Sequence, residues 1–248
     1  AVGAQQGREW SVDGAVPAET QDGLAMLKEW VDVGSIPQPK SVAIHGGGNT
    51  AVDLARVMKR AGVQDVHVVT ASDLPGPDAE PGDVLNVVPR ELDQAQEEGV
   101  VFHPHRTIQR LLMRGSQLTG CEMVRLKKIR GDDGRRRRVP FEGTETVLHV
   151  DMVVPAIGEV VDPAGMEKLV GGSNYLRPDN DQGILHEHPG IFVGGDMRGD
   201  RGTVSGAIGD GRRAAEAIDA WLRGAGVEAE ERETIAYTHL NTAYYEPQ

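Results

Sequence analysis

The sequence predicts an α/β fold, on three observations. An apolar, β-branched run, Ser41-Val42-Ala43-Ile44-His45, ends abruptly at Gly46-Gly47-Gly48. Ala51, Val52, Leu54, Ala55, Val57 and Met58 then recur at helical spacing as far as Gly62, and Val63 to Val69 is a second run of buried-strand type. Strand, glycine turn, helix and strand in that order make a βαβ unit. Within it, Gly46-x-Gly48-x-x-Ala51 fits a dinucleotide fingerprint with Ala in the third glycine's place. The first glycine turns the chain, the second lets backbone N–H groups approach a pyrophosphate, and the small third residue packs helix on strand. The helix N-terminus faces the phosphates with its partial positive charge. Connecting turns also contain such patterns, and it is the strand before and the helix after that single this one out.

Composition limits the alternatives. A chain of 248 residues has room for two lobes, each with its own core. Its 38 acidic residues against 26 basic ones argue against a general nucleic-acid or membrane-surface binder, because phosphate surfaces repel the summed field. No apolar stretch approaches the roughly 20 residues of a membrane helix, and Ala1 to Glu9 lacks the pattern of a signal peptide. The single cysteine, Cys121, excludes an internal disulfide, a C-x-x-C pair and an iron–sulfur site within these residues, and reads as a buried strand thiol. These features suit a reducing cytoplasm.

Taken in order, the chain begins Ala1-Val2-Gly3-Ala4, without an initiator Met, which reads as a strand end running into a loop and leads us to expect a fragment. Thr20 to Val33 is an amphipathic helix with Leu24, Leu27, Trp30 and Val31 on its apolar face, and 34–39 is a stiff linker. After the βαβ unit, Ala71 to Asp83, rich in Pro and Gly, is a surface loop. Val87 to Glu98 is a helix, and Val100 to Phe102 a short strand. Thr107 to Met113, Leu118 to Lys128, Arg135 to Pro140 and Thr146 to Val150 read as antiparallel strands. The arginines at 135–138 read as a solvated hairpin strand beside Asp132 and Asp133, since no aromatic interleaves with them as in nucleic-acid binders. His103 and His105 lack a third ligand at metal spacing, so no metal site is expected. The tail from Glu228 to Gln248 turns from acidic to aromatic, with Tyr237, Tyr244 and Tyr245.

A second constellation lies near the C-terminus. Asp151 to Ile157 is a buried strand closed by Gly158, and Gly190 to Gly194 is a strand ending in Gly195-Asp196. Gly202-Thr203-Val204 opens a helix through Ala207, Ile208, Arg212, Ala215 and Ile218 to Leu222. An acid just beyond a strand can accept from a sugar or ribityl hydroxyl, and an open helix N-terminus stabilises negative charge on a reduced ring. Asp196 as a plain turn cap is the structural alternative.

These motifs together, Gly-Gly-Gly-Asn-Thr-Ala-x-Asp at 46–53, Ala-Ile-Gly at 156–158, and Gly-Ile-Phe-x-Gly-Gly-Asp with Thr-Val-x-x-Ala-Ile-Gly-x-Gly-Arg at 190–212, resemble the glutamate synthase small-subunit-like flavoprotein oxidoreductases. That group includes the flavin and NADPH domains of dihydropyrimidine dehydrogenase, within the glutathione-reductase-like superfamily. The resemblance runs over about residues 1–222. It implies a Rossmann-like nicotinamide-dinucleotide domain at 36–148 inserted into a partial FAD-binding α/β domain at 1–35 and 149–225, followed by a tail at 226–248. By position, Gly46, Gly48, Asn49, Thr50 and Ala51 would hold the pyrophosphate of NAD(H) or NADP(H), and Gly158 would lie against that cofactor. Gly195 and Asp196 would contact FAD in the complete protein, with Thr203 and Val204 beneath its ring. Hydride would pass from nicotinamide to flavin and electrons onward, for example to an iron–sulfur domain or subunit, and no side chain is implied as acid or base. Leu240 to Tyr245 resembles the segment preceding a cysteine-rich region in some relatives.

Three departures from the family pattern carry their own expectations. The N-terminal FAD fingerprint is not among these residues, so this chain alone need not retain FAD. NADPH-using relatives carry arginines after the second strand of the insert. Here Thr70-Ala71-Ser72-Asp73 stands instead, and an acid that repels a 2′-phosphate and accepts from a ribose hydroxyl favours NADH, although Asp73 also reads as a loop residue. His45 stands where a strand residue is usually apolar. Burial with a hydrogen bond is the favoured reading, contact with the nicotinamide the other. A regulatory or scaffolding subunit that keeps the fold without the redox step is the non-enzyme alternative.

Overall fold

The computed structural model describes residues 3–13, 21–80, 82–131, 134, 136–162, 164–170, 173, 175–199 and 202–226. The chain divides into two compact units, Ala1–Asp162 and Pro163–Gln248. In the first, β1 (Gln6–Gly7) and α1 (Gly23–Val33) precede β2 (Ser41–His45), α2 (Asn49–Arg60) and β3 (Asp65–Val69). Then come α3 (Pro89–Glu97), β4 (Val101–His103), β5 (Arg106–Arg114), β6 (Gln117–Arg130), β7 (Arg136–Pro140), β8 (Thr146–Leu148), β9 (Met152–Pro155) and β10 (Glu159–Val160). The βαβ unit of the sequence reading is therefore present, with helix and strand boundaries shifted by one or two residues.

A four-stranded parallel sheet, ordered β4-β3-β2-β9, is the floor of this unit. Side chains alternate across it. Val42, Ile44, Val66, Val68 and Val154 join the core beneath α1 and α2, whereas Ala43, Val69 and Val153 join Ile108, Leu111, Leu118, Cys121 and Met123 of the antiparallel strands on the other face. Burial on both faces is why these strands read as continuous apolar runs rather than alternating ones. Each buried Val contributes roughly 1.5–3 kcal/mol, so the central strands are fixed mainly by their two covers. Over the second face, β5 pairs with β6, whose first half pairs with β8 and whose second half pairs with β7.

β9 is hydrogen-bonded in parallel to β2, and the first unit runs to Asp162. Three expectations are corrected. The face of α1 that packs carries Met26, Leu27 and Trp30, while Val31 is 81% exposed. Loop 71–83 is more than surface: Asp73 bridges to Val84, and Asp83 is only 5% exposed. The hairpin turn between β6 and β7 retains the bond from Gly134 N–H to the Gly131 carbonyl, 2.8 Å. Asp132, Asp133, Arg135 and the tail beyond Gly226, with Tyr237, Tyr244 and Tyr245, lie outside the described residues.

In the second unit, α4 (Glu167–Val170) and a 3-10 turn (Gly195–Arg198) pack on Leu176, Leu185 and Val193 through Leu169 and Met197, and α5 (Val204–Leu222) follows. The expected strand at 190–194 is the third correction. Among the described residues it makes one bridge, Ile184 to Phe192, because the segment beside it is a turn: Gly183 N–H donates back to the Asn180 carbonyl at 3.2 Å while the Gly183 carbonyl accepts from Val193 N–H at 2.8 Å. The helix is where the sequence puts it, but its buried face is Asp210, Ala217 and Ala220, and Ile208 is 68% exposed. Among the described residues no helix is long and apolar enough to cross a membrane.

Candidate functional site

The three glycines after β2 have three different surroundings. A Cβ on Gly46 would fall 2.1 Å from the Ala156 carbonyl oxygen, and one on Gly47 would fall 2.3 Å from the Thr70 hydroxyl. A Cβ on Gly48 would meet nothing within 4 Å. The fold itself demands glycine at the first two positions. At the third it does not, and a bare backbone there leaves room for a ligand to approach. Gly48 is also the N-cap of α2, with no side chain to cap the helix and no acid in its first turn, so the positive end of the helix faces outward.

Neighbouring elements complete this end of the sheet. The Asn49 carboxamide oxygen accepts from Val88 N–H at 3.0 Å, tying the helix start to the segment before α3. Gly46 N–H donates to Val69 at 3.0 Å and Ala156 N–H to His45 at 2.7 Å, so the ends of β3, β2 and β9 are stitched together. This brings Gly158 and Glu159 to the helix start, where the Thr50 hydroxyl donates to the Glu159 carboxylate. Gly158 adopts φ +112°, and its carbonyl accepts from Arg8 N–H at 2.9 Å. The structure thus assembles Gly46, Gly48, Asn49, Thr50, Ala51 and Gly158 at one place. Ala51 is fully buried against the sheet, as a small third residue should be.

Gly195, Asp196, Thr203 and Val204 belong to the other unit. Gly195 has φ +67° and opens the 3-10 turn that presents an exposed Asp196. Thr203 caps α5, its hydroxyl accepting from Gly206 N–H at 3.1 Å, and Val204 is exposed at the helix start. The sequence reading missed what fixes this turn. Asp210, 1% exposed, accepts from Gly195 N–H at 3.0 Å and from Arg198 at 3.4 Å, and pairs with Arg213. An acid between two glycines, three residues ahead of Arg213 on the same helix, was the available signal.

Other residues singled out in the sequence have local partners. His45 Nε2 lies 3.2 Å from the Thr107 hydroxyl and its ring stands edge-on to Trp10. Burial lowers its pKa to about 4, so it is a neutral imidazole. Asp73 accepts from Leu74 N–H at 2.8 Å and lies 3.3 Å from Nε2 of His105, which stands between β4 and β5. Among the described residues no group of three or more potential ligands is placed to hold a metal ion.

The family model for pyridine nucleotide-disulphide oxidoreductases matches residues 1–211. The chain belongs to that family. Relatives within it bear out the resemblance seen in the sequence. The chain is 35% identical over 189 residues to the NADP(+)-dependent formate dehydrogenase subunit beta of Moorella thermoacetica, covering 74% of this chain and 25% of that protein. It is 32% identical over 196 residues to the glutamate synthase [NADPH] small chain of Escherichia coli, covering 74% and 39%. It is 30% identical over 254 residues to the NADPH-Fe(3+) oxidoreductase subunit beta of Geobacter sulfurreducens, covering 90% and 36%. The chain therefore spans about a quarter to two-fifths of these relatives' lengths. Among solved structures, FprA of Mycobacterium tuberculosis in complex with NADPH aligns with TM-score 0.64 at 17% identity, covering 90% of this chain and 63% of that one. The thioredoxin reductase of T. acidophilum aligns with TM-score 0.54 at 16% identity, covering 74% and 53%. These two likenesses bear out the α/β fold.

Proposed function

We propose that this chain is the nicotinamide-binding and flavin-facing portion of an NAD(P)H-dependent flavoprotein oxidoreductase that passes electrons on to an iron–sulfur or other acceptor. One observation carries the reading: of three consecutive glycines, two are closed off by the chain's own atoms, and Gly48 alone stands open over the uncapped start of α2. The names of the curated relatives, which describe NADP(+)- or NADPH-linked subunits, support it.

In this reading, Gly48 and the first N–H groups of α2 hold the pyrophosphate. Asn49 braces the helix start from the Val88 side, and Ala51 seats the helix on the sheet. Gly158, with its positive φ, brings backbone rather than side chain against the cofactor. In the second unit, Gly195 turns the chain so that Asp196 accepts from hydroxyls of FAD, and Thr203 and Val204 offer the open start of α5 to the flavin ring. When bound, the nicotinamide supplies a hydride and the flavin accepts it; the protein's own residues position and polarise without exchanging a proton. Thiol–disulfide chemistry within these residues is disfavoured. Cys121 has no partner cysteine in the sequence, it is buried, and burial pushes its pKa up to about 12.

Calorimetric titration of the whole chain with NADH and NADPH tests the reading. We expect saturable binding of at least one nucleotide and its loss in Gly48→Val with the fold retained. Absence of binding by folded wild type would leave the structural-subunit alternative as the better account.

A further inference from the structure

The arginine-rich strand does not simply face solvent. Lys128 of β6 stands directly opposite Arg138 of β7, and Arg136 lies two residues along on the same face. Like charges opposed across a ladder repel, so this face calls for anions. Two carboxylates of the loop that follows β3 supply them. Glu80 pairs with Lys128 and Arg136, and Asp83 pairs with Lys128 and Arg138. Burial works to raise the Asp83 pKa, but Lys128 and Arg138 outweigh it and hold the group below the usual carboxylate range. Around these five groups is a cavity of about 450 Å³ that also touches Ala71. Three cations against two carboxylates leave surplus positive charge, in a chain whose formal net charge is −12.

The position of this cavity gives it meaning. Ala71 is two residues beyond β3, and β3 ends against the glycine turn: Gly46 N–H donates to Val69, and Gly47 abuts Thr70. A dinucleotide whose pyrophosphate sits at a glycine turn lays its adenosine ribose over the end of the next parallel strand, where residues just past that strand read the 2′-position. We propose that this cavity receives the 2′-phosphate of NADPH, with Lys128, Arg136 and Arg138 reading it from the neighbouring hairpin rather than from the loop after β3. The inference rests on the dinucleotide reading above and makes it specific. A phosphate monoester offers more charge and more acceptor oxygens than either carboxylate, and so displaces Glu80 in particular, whose side chain is 44% exposed. It also reverses the preference for NADH that Asp73 suggests in the sequence, since Asp73 is held by Leu74 N–H and beside His105.

The test is calorimetry of the whole chain with NADPH and with NADH, for wild type, Arg136→Gln and Glu80→Gln. Both substitutions fall on partly exposed side chains, and NADH binding reports whether the fold and the glycine turn are intact. Wild type is expected to bind NADPH about tenfold more tightly than NADH. Arg136→Gln should remove most of that advantage while leaving NADH affinity unchanged, and Glu80→Gln should increase it. Equal affinities in wild type, or an Arg136→Gln variant with an undiminished preference, would overturn the inference while the dinucleotide reading stands. Failure of wild type to bind either nucleotide would overturn both.

Discussion

Gly46 runs so close to Ala156 that a Cβ on the glycine would lie 2.1 Å from the Ala156 carbonyl oxygen. Contact with backbone cannot be relieved by a rotamer change, so β2 and β9 would have to separate. Gly46→Ala should cost about 3 kcal/mol of stability. Gly48→Ala, with open space around it, should cost no more than about 1 kcal/mol from the poorer N-cap. Urea midpoints of the two variants decide the matter, and equal losses would refute the division of labour between the glycines.

The Asp210 carboxylate stands between Gly195 N–H and the Arg198 guanidinium, itself only 8% exposed. Removing one side of a buried pair strands the other charge. Asp210→Ala should destabilise the second unit by about 3–5 kcal/mol, and Asp210→Asn by less, since an amide oxygen still accepts from Gly195. Denaturation followed by Trp221 fluorescence would show the order, and matching losses for Ala and Asn would argue that the Gly195 bond is immaterial.

Acid should weaken the fold through its buried imidazoles. His45 has a folded pKa of about 4 against an ordinary 6.5. Between those values the unfolded chain binds the proton and the folded chain does not, so stability rises with pH and is lost as pH falls through this window. The full difference amounts to roughly 3 kcal/mol. His67 and His103, with ring nitrogens 3.1 Å apart, act in the same direction, burial being the first cause for each. Urea midpoints at pH 7, 5.5 and 4 should fall in step, and fall less steeply in His45→Asn.

Glu159 holds the Thr50 hydroxyl beside the start of α2. A carboxylate there repels an incoming pyrophosphate. Glu159→Gln should raise dinucleotide affinity about threefold at low ionic strength, the gain shrinking as salt screens it. A titration showing no change at low salt would separate Glu159 from the phosphate path.

Cys121 should resist thiol reagents. It is fully buried in the core between the two sheets, and its pKa is pushed up to about 12 by that burial. Labelling at pH 8 should proceed only as fast as the protein opens and should become immediate in denaturant. Fast labelling of the native chain would contradict the packing of β6 against the parallel sheet.

The βαβ unit was legible because its signals are local. Val42, Ile44, Val66 and Val68 follow one another in sequence, the glycines mark the turn, and buried parallel strands leave long apolar runs. Thr203 and α5 were legible for the same reason, a cap residue followed by helical periodicity. The failures were of two kinds. Which face of a helix packs depends on what other elements cover it, so Val31 was assigned inward and stands in solvent. Pairings distant in sequence leave no trace in either partner: nothing in 149–155 announces that it will hydrogen-bond to 42–45, or that loop residues 80 and 83 will meet 128, 136 and 138.

By itself, then, the sequence determined the type of fold, the family and the place of the glycine turn, since propensity, periodicity and motif spacing act within a few residues of one another. Tertiary structure alone decided which of the three glycines faces outward, that Asp210 fixes the turn at Gly195, and that a basic strand converges on the end of β3. Each of these depends on close approach or charge pairing between residues far apart in the chain, and such energies exist only once the chain has folded back on itself.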